Sequence, residues 1–260
     1  MVAGCFQGWR PEGFFQLSRP IIMLRKIFFA SILLLFSLSQ TPSSGANLRI
    51  IIIPQFAGQP LQLSGQIYVS GQNDSLYIDL FRCYLSGFRL SANGRSPAAD
   101  SAAHLVDASD TGTLSFLVNN IPPGTYDRLI FNIGVDSLCN VSGAMGGDLD
   151  PVKGMYWAWN TGFINAKLEG RSNACKTLHH AFEFHIGGFV PPFNTLRTVS
   201  LPVENFTIPS NNETTVIQLR ADLAAWLTNI HLAETNNIVL PSAKACHMAD
   251  NYTKMFSLIP

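Results

Sequence analysis

Charge is scarce in this chain. Only 13% of its 260 residues are Asp, Glu, Lys or Arg, and the 17 basic and 17 acidic residues cancel. That balance provides no field to hold a nucleic acid or an anionic membrane surface. A long apolar run is missing too. Residues 27–38 are the most apolar stretch, shorter than the ~20 residues a spanning helix needs, so stable membrane insertion is not expected. Cysteine is sparse, five in all. None stand as Cys-x-x-Cys, which removes a zinc knuckle or a thioredoxin-like motif. Gly-x-Ser-x-Gly is absent, and no glycine-rich phosphate loop follows a strand. Glu169 and Glu183 are isolated acids of the type that pair in glycosidases, but no motif places them together. No catalytic constellation is found, and the chain reads as a non-enzyme.

What is present begins with an export signal. Met23-Leu24-Arg25-Lys26 is basic, residues 27–38 are apolar, and Ser43-Ser44-Gly45-Ala46 is a run of small residues. This is the order of a secretory signal peptide, with cleavage expected near Ala46. Residues 1–22 precede a good start methionine, carry no folding pattern and read as a mis-assigned start. The divisions are therefore 1–22, a signal peptide over 23–46, and one mature domain over 47–260, periplasmic or secreted. Export delivers Cys83, Cys139, Cys175 and Cys246 to an oxidising compartment, where one or two disulfides are expected. Four cysteines allow three pairings, and spacing does not choose among them.

The mature part is rich in strand signals. Apolar or aromatic runs over 48–53, 66–70, 76–90, 104–107, 115–118, 126–135, 156–168, 181–186, 197–203 and 215–219 are separated by Gly, Pro and Asn turns. Such spacing predicts an all-β domain, an antiparallel β-sandwich. One short helix is expected over 222–229. Two strands bear on function. Over 177–187, alternation places His180, Phe182, Phe184 and Ile186 on one face and His179, Ala181, Glu183 and His185 on the other. Over 155–161, Met155, Trp157, Trp159 and Thr161 share a face, which sets two indoles side by side.

The most unusual stretch runs from Gly134 to Gly170. It contains Gly134-Val135-Asp136-Ser137, Asn140-Val141-Ser142-Gly143, Asp148-Leu149-Asp150-Pro151, Gly154-Met155-Tyr156-Trp157-Ala158-Trp159-Asn160 and Lys167-Leu168-Glu169-Gly170. Two further pieces are Phe182-Glu183-Phe184-His185-Ile186-Gly187-Gly188-Phe189 and Ala249-Asp250-Asn251-Tyr252-Thr253-Lys254-Met255-Phe256. Together they resemble the MbnP-like family, named for a methanobactin-associated periplasmic protein. The resemblance is to the branch found in Bacteroidetes-like bacteria more than to the founding methanotroph protein. It implies a β-sandwich, a partner di-haem enzyme related to bacterial cytochrome c peroxidases, oxidation of a Trp to kynurenine by that partner, and an association with copper. The family's Trp-x-Trp motif falls on Trp157 and Trp159, with the choice between them open.

The chemistry of the residues is compatible with that implication. Copper favours imidazole, and six histidines are present. His185 faces away from the aromatic core, His104 precedes Leu105-Val106-Asp107, and His247 precedes the conspicuous tail, which makes these three the candidate ligands. Asp136, Asn140, Asp148 and Asp150 are hard-oxygen donors for calcium, but they lack a calcium-loop spacing and read better as turn formers. A different functional class is a secreted carbohydrate-binding or adhesion sandwich that uses the two Trp rings as a stacking platform.

Overall fold

A computed structural model describes residues 45–96, 100–159, 162–211 and 213–259. The expected signal peptide over 23–46 and the expected mis-assigned start over 1–22 lie outside these residues, apart from positions 45 and 46. Ser44–Pro260 forms one compact unit. Among the described residues no helix is long and apolar enough to cross a membrane.

The strands are β1 (Ala46–Phe56), β2 (Gln59–Pro60), β3 (Tyr68–Val69), β4 (Ser75–Ser91), β5 (Ala103–Asp107), β6 (Ser115–Ile121) and β7 (Gly124–Ile133), then β8 (Tyr156–Trp157), β9 (Gly162–Ser172), β10 (Ala181–Gly187), β11 (Arg197–Ile208), β12 (Thr215–Asp222), β13 (Asn237–Ile238) and β14 (Phe256–Leu258). The smaller sheet runs β14-β12-β1-β2, with β6 also on β1. The larger runs β11-β7-β4-β9-β10-β13, with β3 and β5 on β4 and β8 on β9. This is the all-β sandwich expected. Two pairings, β1 with β12 and β10 with β13, are parallel and not antiparallel.

The inner faces follow strand alternation. Leu48, Ile50 and Ile52 of β1 face Phe182, Phe184 and Ile186 of β10 across one continuous core, all within 2% exposure. On β4 a register shift between Ile78 and Leu80 changes the parity, so that Phe81, Cys83 and Leu85 point inward. Arg82 and Tyr84 consequently sit on the outer face.

Three differences from expectation have physical reasons. The run over 156–168 is not one strand: it folds back as a hairpin, with Trp157 paired to Gly162. The short helix is tighter, α2 (Leu223–Trp226), with Asp222 accepting the Ala224 N–H at its start. A helix absent from the sequence reading, α3 (Ala243–Tyr252), is capped by Ser242 and buries Ala245, Met248, Ala249 and Tyr252, which follow helical spacing. The four cysteines of the domain are all unpaired thiols. Cys83 is completely buried and burial pushes its thiol far up, so it behaves as a small apolar core residue. The expected disulfides are not formed.

Candidate functional site

The chain between β7 and β9 does not return directly. It folds as an excursion over the outer face of the larger sheet, through α1 (Ser137–Ser142) and two short turns, to β8. Polar side chains fix its path. Asp136 caps α1 by accepting the Cys139 N–H at 2.9 Å. The Asn140 amide donates to the carbonyls of Val135 and Asp136, and its oxygen accepts the Phe163 N–H at 2.9 Å. Asn165 accepts the Val135 N–H and donates to Thr195. Gly134 passes so close to Asn165 that a Cβ would stand 2.4 Å from its side chain. Asp148 accepts the Leu105 N–H, and Arg82 donates to the Lys153 carbonyl. Asn140 and Asn165 are buried, and each buried amide so satisfied removes a penalty of ~1–3 kcal/mol for an unmade bond. Asp136, Asn140, Asp148 and Asp150 are thereby spent on caps and backbone contacts, which is the turn-forming role.

Under the excursion lies a second buried cluster, separate from the space between the sheets. It comprises Tyr84, Leu105, Val135, Leu149, Met155, Trp157, Phe163 and Ile164. Trp157 is 5% exposed and Trp159 is 62% exposed. Their ring centroids are 5.6 Å apart with the planes tilted by 43°. The pair is thus side by side, as the spacing implied, but divided between inside and outside because Trp159 has moved off the strand into the hairpin turn. Residues 160 and 161 of that turn, Thr161 included, lie outside the described residues. The six-membered edge of Trp157 rests on Gly187, where a Cβ would meet it at 2.8 Å and the Phe163 carbonyl at 2.7 Å.

His185 stands on this same outer face, two residues before Gly187 on β10, ~7 Å along the strand. Its Nε2 is 2.7 Å from Oε1 of Glu169 across the β9–β10 pairing. Lys167 reaches the same oxygen at 3.2 Å. The His185 hydrogen bond, then the Lys167 charge, hold the Glu169 carboxyl down to about 2 against the opposing effect of partial burial. Glu183 is the cross-strand neighbour of Glu169. The structure therefore brings together the two acids that the sequence left apart. Glu183 accepts from Asn237 at 3.3 Å. An acid held ionised as firmly as Glu169 is unsuited to donate a proton to a leaving group.

The other candidate ligands lie elsewhere. His104 is on the opposite side of the larger sheet, its ring stacked on Phe116 at 4.1 Å. Its Nε2 is 3.6 Å from Asp100 and buried without a hydrogen-bond partner among the described residues. Burial lowers its pKa, opposed by Asp100. His247 is exposed on α3. Among the described residues no three His, Cys, Asp or Glu side chains gather as a metal-binding group. The three imidazoles do not form one ligand set. What sequence reasoning missed is the buried amide Asn165. Its signal was a lone polar residue inside the apolar run over 163–168.

No curated protein matches this chain. Among solved structures, MbnP from Methylosinus trichosporium is similar, with a TM-score of 0.52 at 14% identity over 82% of this chain and 97% of that one. At that identity the likeness concerns the fold alone. A family model, MbnP, matches residues 45–248, which include every strand of the sandwich but β14, the outer excursion, Trp157 and Trp159, and so the chain belongs to the MbnP family.

Proposed function

We infer that this is an exported, non-catalytic copper-associated protein whose Trp157–Trp159 pair is oxidised by a di-haem, cytochrome c peroxidase-like partner. One observation carries the reading. An exposed indole lies against a buried one on a face that also bears a carboxylate-held imidazole. Trp159 is the ring that an external oxidant meets, and it is the residue assigned to modification. Placing an oxygen on each of C2 and C3 of the indole and cleaving the bond between them is a four-electron oxidation. It consumes two peroxide equivalents at the partner, each giving up one oxygen atom and leaving as water. Hydrolysis then releases formate and leaves kynurenine. Trp157 underneath is held by Gly187 and keeps the acceptor ring in place.

The residues present suit copper. Imidazole is a good copper donor. The Glu169 contact to Nε2 of His185 is the kind of carboxylate–imidazole pairing that orients metal-bound rings, and it leaves Nδ1 for the ion. Kynurenine adds an aromatic amine and a carbonyl. His185 is thus the favoured ligand of the three candidates. A sugar-stacking platform of two rings is disfavoured by the burial of Trp157.

The test is intact mass and peptide mapping of protein purified from cells with and without the partner. The expected result is a gain of one oxygen and loss of one carbon, mapped to Trp159, abolished in Trp159→Phe and accompanied by copper. An unmodified mass with the partner present overturns the reading. Kynurenine at Trp157 overturns the assignment and leaves the pair as substrate.

A further inference from the structure

At the far end of β10 from Trp157 lies a feature that the proposed function does not use. The chain enters β10 through a single turn, Leu178–His180. His179 has φ +57° and His180 φ +56°, both left-handed. This backbone costs L-residues about 1–3 kcal/mol each. Of the nine described non-glycine residues with positive φ, five are Asn, the residue that best tolerates the conformation, and the two His are adjacent in sequence. The turn is nevertheless firmly held. The His180 N–H donates to the Thr177 carbonyl at 3.1 Å, and the Thr177 hydroxyl donates to the Ala181 carbonyl. Nδ1 of His180 lies 2.9 Å from the carbonyl of Cys175. That loop is anchored in turn by the buried Cys175 thiol, which points to the Leu232 carbonyl.

The Cys175 contact selects one tautomer of the neutral ring. A carbonyl only accepts, so Nδ1 carries the proton, and in that tautomer Nε2 bears the lone pair. A backbone carbonyl holding one ring nitrogen is the arrangement that orients metal-ligating imidazoles. His179 and His180 both line a cavity of about 250 Å³ together with Tyr77, Arg171, Ser172 and Asn173. Among the described residues no carboxylate lines it. Arg171 is already engaged, at 2.7 and 2.9 Å from the two oxygens of Asp79 and over the Tyr77 ring at 5.0 Å. A site offering imidazole nitrogen and no acid suits a nitrogen-seeking transition ion and not calcium or magnesium.

We propose that the His179–His180 turn is a metal site for copper(II) or zinc(II), independent of the tryptophan pair. His180 Nε2 and the His179 imidazole are its protein ligands, and water completes the shell. Six residue steps of β10 separate it from Gly187 beneath Trp157, ~20 Å.

The test uses protein made without the partner and without a histidine tag, so that both tryptophans are intact. Copper(II) is titrated by electron paramagnetic resonance and zinc(II) by calorimetry. The expected result is one equivalent bound, with nitrogen hyperfine structure for copper. His179→Asn and His180→Asn should each weaken binding ~10-fold or more. Because Asn accepts the left-handed backbone, both variants should fold. His180→Asn gives up the contact to the Cys175 carbonyl and should be slightly less stable, whereas His179→Asn should lose affinity with no loss of stability, which a purely structural role does not allow. His185→Ala and Trp159→Phe should retain the site. Unchanged affinity in the double Asn variant, copper spectra without nitrogen coupling, or equal loss in His185→Ala overturns the proposal. None of these outcomes bears on whether Trp159 is oxidised.

Discussion

Phe184 and Trp157 lie on opposite faces of the same sheet, and both are out of water. Around Phe184 the neighbours are aliphatic and aromatic side chains contributed by strand alternation from two sheets. Around Trp157 they are seven residues drawn from β4, β5, β9 and an irregular excursion, whose path is set by Asn140, Asn165, Asp136 and Asp148. The first region is held by apolar area, which is non-directional and tolerant of substitution of like volume. The second is held by directed hydrogen bonds and close approaches, which are specific and intolerant. The difference teaches that one sheet supports two kinds of order. The sandwich supplies rigidity, and the outer cluster aims one indole at solvent while fixing another beneath it.

Two substitutions break this comparison most strongly. Phe184→Ala removes a ring with 0% exposure from the main core. It should cost about 3–5 kcal/mol, read as a fall in the urea midpoint of the whole domain. Gly187→Ala acts on the other face. Its new Cβ meets the Phe163 carbonyl at 2.7 Å and Trp157 at 2.8 Å. The backbone oxygen cannot rotate aside, so the indole must move. The expected global cost is smaller, about 1–3 kcal/mol. The local effect is larger: faster amide exchange over the β8–β9 hairpin and lower kynurenine yield. Equal effects of the two variants on hairpin exchange would show that the outer cluster has no independent order.

The two regions also differed in how far they could be read from residues alone. Phe182, Phe184 and Ile186 announce an inner face because a strand repeats every two residues, and that period survives without any knowledge of partners. Glu183 and His185 are assigned to the outer face by the same rule. The hairpin at Trp159 was not legible, because Ala158 and Trp159 continue the aromatic pattern of a strand while Gly162 provides the return. The parallel pairing of β1 with β12 joins residues more than 160 positions apart, and no local pattern encodes it. The helix over Ala243–Tyr252 was legible in principle, from Ser242 and the spacing of Ala245, Met248, Ala249 and Tyr252, but it is short and weakly apolar. The family block over 134–170 was legible as a motif and not as geometry. Its three aspartates look like ligands until each is seen accepting a backbone N–H.

The smallest effect concerns the charges that flank the tryptophans. Glu169 is shared by His185 and Lys167 on the outer face, with Glu183 as its cross-strand neighbour. Its carboxyl titrates at about 2 in the fold, against 4.5 for the free group. In the unfolded chain it takes up a proton first, so the stability it contributes is fully present above pH ~4.5 and is lost as pH falls towards 2. The side chain is 30% exposed. Solvent therefore screens the pair, and the contribution is about 1 kcal/mol or less. Glu169→Gln should lower stability slightly at pH 7 and flatten the decline between pH 5 and 2, measured by urea unfolding across that range. It should also loosen His185, the proposed copper ligand on the same sheet face as Trp157, so copper loading of the kynurenine form should fall more than stability does. Loss of stability without loss of copper would place Glu169 with the sandwich and not with the site.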